Sequence, residues 1–198
     1  MGVFMTKYIY VTLFLLVAGV HTANSLGKFY GPKCLHTYND RWAGPVTLQI
    51  AEQDLVWEAD IASAVESWNK GLGFKLLSLK IVKKVDESKP HFEFTRKWVY
   101  KSEEEAITRI SSLGSYIINA HIIVNMRDFE YSAGNKPKKN SYNMRTLIAH
   151  ELGHFIGLDH IEDSSKVMNP YLPESTVRNI SSVEIEAARC LYANKIKP

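Results

Sequence analysis

The chain has little of what several function classes require. It contains two cysteines, Cys34 and Cys190, so no more than one internal disulfide can form. No apolar run reaches the ~20 residues that cross a bilayer. The longest, Tyr8 to Val20, follows Lys7 and precedes the small residues Ala23 and Ser25, which is the pattern of a secretory signal peptide over residues 1–25. The mature protein is therefore expected to be secreted and monomeric, with no membrane segment. Neither sign of charge dominates, since 24 Lys and Arg against 21 Asp and Glu leave +3, and Lys7 departs with the leader. Lys136, Lys138 and Lys139 fall in the polar stretch from Ser132 to Asn140 and read as a solvated loop. Without a basic stripe interleaved with aromatics, no nucleic-acid partner is expected. At 198 residues there is room for one domain with a substantial core.

What is present is concentrated in His150-Glu151-Leu152-Gly153-His154-Phe155-Ile156-Gly157-Leu158-Asp159-His160. On a helix, His150 and His154 lie a turn apart on one face, so two imidazoles can close on one cation. Glu151 is ~100° round from His150, well placed to serve as a general base toward a water held on the metal. Gly157 can take the left-handed backbone that ends a helix and so return His160 to the same ion. Three imidazoles leave a fourth tetrahedral position for substrate or water, the mark of a catalytic zinc rather than a structural one. The chemistry expected is hydrolysis, because zinc brings the pKa of water from 15.7 to roughly 7. From average residue usage, the five-residue core H-E-x-x-H arises by accident on the order of once in a hundred chains this long. Adding the glycine at the eighth position and the histidine at the eleventh lowers that to a few in 100,000.

This motif, with Val167-Met168-Asn169-Pro170 downstream, resembles the metzincin metalloproteases, and within them the matrixins. The resemblance covers most of the chain after residue 45. It implies an α+β fold: a metzincin (zincin-like) domain over residues 46–198, with a mixed twisted β-sheet of about five strands, a backing helix, an active-site helix and a C-terminal helix. Residues 26–45 would be a short N-terminal segment. It further implies that Met168 underlies the three histidines as the Met-turn without ligating zinc. Thr146 matches the position that often sets the depth of the main specificity pocket, and Pro170 and Tyr171 would wall it. Ile161 departs from the Ser or Thr that usually follows the third histidine in matrixins. Tyr171 stands three positions after Met168, one too many for the switch tyrosine of astacins and serralysins, so a fifth ligand is not expected from it.

Taken in order, Val46, Leu48 and Ile50 alternate as in a half-buried strand. Trp57, Ile61, Ala64, Val65, Trp68 and Leu72 follow the helical period between a cap at Asp54 and a terminator at Gly71, and Trp68 looks like the buried tryptophan of a matrixin's first helix. Strands are expected from Phe74 to Lys84, from His91 to Trp98, from Ala106 to Ser111 and from Tyr116 to Asn125. In the last, Ile118, Ala120, Ile122 and Val124 should share one face, leaving His121 on the other. In matrixins a histidine near His121 helps bind a structural zinc, although its fellow ligands are not recognisable here. The strand from Ala106 to Ser111 would border the cleft and accept an extended peptide on its edge. The active-site helix is expected from Asn143 to Gly157, and a final helix starts at the capping box formed by Ser181 and Glu184, with Ile180 and Ile185 as a staple. Asn179-Ile180-Ser181 is also a glycosylation sequon.

In an exported chain, Cys34 and Cys190 are expected to pair. A matrixin resemblance offers the other reading, Cys34 or Asp40 as a cap on the zinc, since Gly31-Pro32-Lys33-Cys34 is faintly similar to a latency switch. Calcium is an additional candidate cofactor, through Glu103-Glu104-Glu105, against a solvated turn. The function expected is a secreted zinc endopeptidase acting on protein or peptide substrates. The rivals are an exported binding or inhibitory module that keeps the scaffold without turnover, and a zinc hydrolase acting on something other than peptide.

Overall fold

Apolar alternation and helical periodicity build a sheet and three helices. Strands β1 (Arg41–Trp42), β2 (Val46–Ala51), β3 (Leu77–Val82), β4 (His91–Thr95), β5 (Ala106–Leu113) and β6 (Tyr116–Asn125) form one sheet, in the order β1-β6-β4-β2-β3 with β5 on the other side of β6. All pairings are parallel except β5 with β6, so the sheet is mixed, as expected for the α+β fold. The computed structural model describes residues 34–100 and 103–193; the signal peptide expected over residues 1–25 lies outside them. Among the described residues no helix is long and apolar enough to cross a membrane.

Between β2 and β3 the chain crosses over through a 3-10 turn, Glu52–Trp57, and helix α1 (Glu58–Leu72). Parallel neighbours need such a crossover, because no tight turn can join them. Asp54 lies within the 3-10 turn and caps nothing, and the helix ends at Gly73 rather than Gly71. Gly73 takes φ 84° while its N–H bonds the Asn69 carbonyl at 3.0 Å. Gly71 stays helical and serves close packing instead: a Cβ there would come within 2.9 Å of Ile185. Trp68 is fully buried, and its indole N–H donates to the Ala149 carbonyl at 2.9 Å, fixing α1 on helix α2 (Met144–Phe155).

The β5–β6 hairpin departs from simple alternation. Ala120, Ile122 and Val124 are buried as expected, but Ile118 is 59% exposed and Ile117 is buried in its place. A register shift between Ser111 and Ser112 inserts one residue, and a one-residue slip turns every later side chain to the other face. A second, two-stranded sheet pairs β7 (Tyr131–Ser132) with β8 (Tyr142–Asn143) just before α2. Helix α3 (Ser182–Leu191) closes the domain, and Cys190 near its end is disulfide-bonded to Cys34. The core runs from Leu48 and Ile50 on β2 through Trp68, Phe92 and Ile122 to Leu152, Phe155 and Met168.

Candidate metal centre

Helix α2 is buried from Thr146 onward, which is what makes it a rigid platform. Its N-cap, Asn143, accepts from the Thr146 N–H at 3.0 Å, satisfying one of the orphan donors of a helix start. At the other end the Phe155 carbonyl accepts from the Trp42 indole at 2.8 Å. Gly157 then takes φ 101°, with its N–H on the His154 carbonyl at 2.8 Å, and the chain reverses. A side chain here is barred twice over, since its Cβ would also lie 2.0 Å from the Asp40 carbonyl oxygen. The N-terminal segment flanks this turn: Tyr38 N–H donates to the Gly157 carbonyl, Asp159 N–H donates to the His36 carbonyl, and Thr37 bridges Leu158.

The turn brings His150, His154 and His160 together, their ligand atoms all within 4.8 Å of one another. His150 Nδ1 is 2.7 Å from the Val167 carbonyl and His154 Nδ1 is 2.9 Å from the Leu158 carbonyl. A carbonyl only accepts, so each Nδ1 carries the proton and each Nε2 presents its lone pair. These two Nε2 atoms stand 3.0 Å apart, and that of His160 is 3.1 Å from that of His154. Burial, reinforced by the neighbouring rings, holds His150 well below its ordinary pKa and brings His154 to about 4; burial lowers His160 as well. Three neutral imidazole nitrogens aimed at one point are the donor set that zinc accepts. His160 is solvent-exposed, so the cluster opens to the surface on that side.

The family model for matrixins (Peptidase_M10) matches residues 70–193. The chain belongs to the matrixin family. It is thus a metalloprotease-type domain, and the family implies zinc at the triad. No curated protein matches the chain.

In this matrixin Met168 is fully buried directly beneath the helix, and a Cβ on Gly153 would meet its Sδ at 2.2 Å. A side chain at this glycine would therefore need Met168 to shift and would press on Trp68 at 3.2 Å, a constraint with no signal in the sequence. The peptide joining Val167 to Met168 is tied at both ends: its carbonyl accepts from His150, and its N–H donates to Glu184 Oε1 at 2.7 Å. The other oxygen of that buried carboxylate accepts from the Ser181 N–H at 2.5 Å. Glu184 was legible as the far half of a capping box; its grip on the Met168 backbone was not. Ile161 is buried in the core, with its N–H on the Met168 carbonyl at 2.9 Å and its carbonyl accepting from Asn169 Nδ2 at 3.2 Å. The residue that departs from the family pattern thus ties the His160 loop to the Met168 segment.

Glu151 lies beside the triad, 4% exposed, and burial pushes its carboxyl up to about 8, against the lowering effect of a hydrogen bond from Thr108. Thr146 is also buried; its hydroxyl accepts from the Arg178 N–H at 3.0 Å, which pins the segment returning from Tyr171. Pro170 is half-buried, and Tyr171 is 75% exposed at the surface. Cys34 does not cap the metal centre, because its sulfur is bonded to Cys190, and the convergent cluster includes neither it nor Asp40. His121 stacks on His91 with ring centres 5.1 Å apart, and Arg109 stands opposite it on β5. Among the described residues the His150 triad is the one group of three or more such side chains that converges, so neither His121 nor the acidic run at 103–105 completes a second.

Proposed function

We propose that this matrixin is an exported zinc endopeptidase in which His150, His154 and His160 hold the metal and Glu151 is the base. The observation that carries this reading is the pairing of three converging imidazoles with one buried carboxylate on the next residue of the same helix. When bound, zinc supplies a Lewis acid that polarises a peptide carbonyl and acidifies water. The Val167 and Leu158 carbonyls orient His150 and His154 so that Nε2 of each faces the metal position. Glu151 accepts a proton from water on its carboxylate and returns it to the departing amide nitrogen. Burial raises the carboxyl above its ordinary range, which favours a group that takes a proton and passes it on. Among the described residues strand β5 pairs only with β6, so its outer edge can take an extended peptide through main-chain hydrogen bonds. Pro170 and Tyr171 then contact a substrate side chain, while Thr146 acts from behind by holding Arg178. Export is supported by the leader-like segment and the disulfide.

Glu151→Ala tests the reading on a denatured protein substrate, with and without a chelator. Cleavage is expected to fall by roughly 10²–10⁴-fold while zinc per chain stays constant. Undiminished cleavage by the variant would remove Glu151 from its role. Chelator-insensitive cleavage would remove the metal from it.

A further inference from the structure

We propose that Thr108, on the cleft-side strand β5, is a positioning residue that fixes which oxygen of the Glu151 carboxylate handles the proton; the inference rests on the catalytic reading above. Thr108 Oγ1 donates to Glu151 Oε2 at 2.6 Å and lies 3.0 Å from the backbone carbonyl oxygen of the same glutamate. One hydroxyl carries one hydrogen, and the shorter contact, to the carboxyl oxygen, takes it. Among the described residues no other side chain donates to this buried carboxylate, so Thr108 supplies the hydrogen bond that distinguishes its two oxygens.

The donor is itself held firmly. Threonine is branched at Cβ and stiff about its first torsion, and Thr108 sits in register opposite Ile122 in the β5–β6 ladder. With Oε2 engaged, Oε1 is the oxygen left to take and return a proton. The strand that is proposed to bind the peptide backbone therefore also sets the base, so a peptide docked on β5 and the carboxylate share one rigid reference. A role of this kind is felt in the chemical step more than in substrate binding.

The test uses the zinc-loaded full chain and its T108V, T108S, E151A and T108V/E151A variants, with an internally quenched peptide cleaved by the wild type. Valine keeps the shape and removes the hydroxyl. T108V should lower kcat by about tenfold with KM moving less than about twofold, T108S should recover most of the loss, and zinc per chain should be unchanged in both. An unaltered kcat in T108V, or a loss in T108S as large as in T108V, would overturn the proposal, since the second would assign the effect to the methyl group. Thermal midpoints of the four-member cycle give a readout independent of turnover: T108V should destabilise less in the E151A background than in the wild type. If the wild type cleaves no peptide, the endopeptidase reading fails on its own, and additive midpoint shifts would still overturn the Thr108–Glu151 link while coupled ones support it.

Discussion

Two groups of histidines stand in this chain, and they differ in what surrounds the rings. His150, His154 and His160 converge, and His150 and His154 have their Nδ1 atoms on backbone carbonyls with their Nε2 atoms turned toward one point. His91 and His121 merely stack; His91 Nδ1 faces the Lys89 carbonyl at 2.8 Å, while the buried Nδ1 of His121 has no hydrogen-bond partner among the described residues. Parallel pairing of β4 with β6 puts His91 and His121 side by side, but Arg109 occupies the neighbouring position on β5. A cation there would meet a guanidinium close enough to hold down the pKa of His121. The lesson is that a metal site is made by what orients the rings and by the third donor, not by two histidines in proximity.

The largest expected effect breaks that comparison outright. His154→Ala should weaken zinc binding by more than about 100-fold, because loss of an outer partner alone costs 10–100-fold. His91→Ala and His121→Ala should leave zinc per chain unchanged. Competition against a chromophoric chelator measures all three, and zinc loss from His121→Ala would make the two groups one system.

Next in size is the disulfide that anchors the segment flanking the triad's turn. Its residues are 156 apart in sequence, and the chain-entropy estimate for so long a loop is at most about 5 kcal/mol. Replacing both cysteines with serine should lower the unfolding midpoint accordingly in denaturant titrations; an unchanged midpoint would show that the flanking segment contributes nothing to the triad's frame. Smaller again is Glu184→Ala, which strands the buried Met168 N–H and the half-buried Ser181 N–H. It should cost roughly 3 kcal/mol. It should also weaken zinc retention, since the peptide that orients His150 loses its anchor, and no such change in zinc is expected from disturbing the other pair.

The smallest effect concerns the stacked pair. Burial, then His91 and Arg109, holds His121 below its ordinary pKa, with Glu87 opposing. The unfolded chain therefore binds this proton first, and the corresponding stability is full above about pH 6.5 and lost as pH falls through the folded value. His121→Gln should narrow the difference in thermal midpoint between about pH 7 and about pH 5. A difference as wide as the wild type's would mean that His121 does not titrate against folding.

Much of this arrangement was legible before any fold was known. The i, i+4 spacing of His150 and His154 puts both rings on one helical face, and Gly157 supplies the reversal that delivers His160, because local backbone geometry follows from local sequence. Strands, helices and the pairing of two lone cysteines were readable for the same reason. The N-terminal strand Arg41–Trp42 was not, since a two-residue strand has no periodicity to detect. Nor was the phase of β6 near its start, where a bulge outweighs alternation.

The sequence by itself thus determined the candidate donor set, its spacing and the helix that carries it, all of which depend on residues within a few turns of one another. Only the tertiary structure decided what holds that set in place: the Val167 carbonyl behind His150, Glu184 behind Met168, Met168 beneath Gly153, and Thr108 against Glu151. Each of these contacts joins segments more than a dozen residues apart. Their geometry is fixed by how helices and strands pack, and no local pattern encodes it.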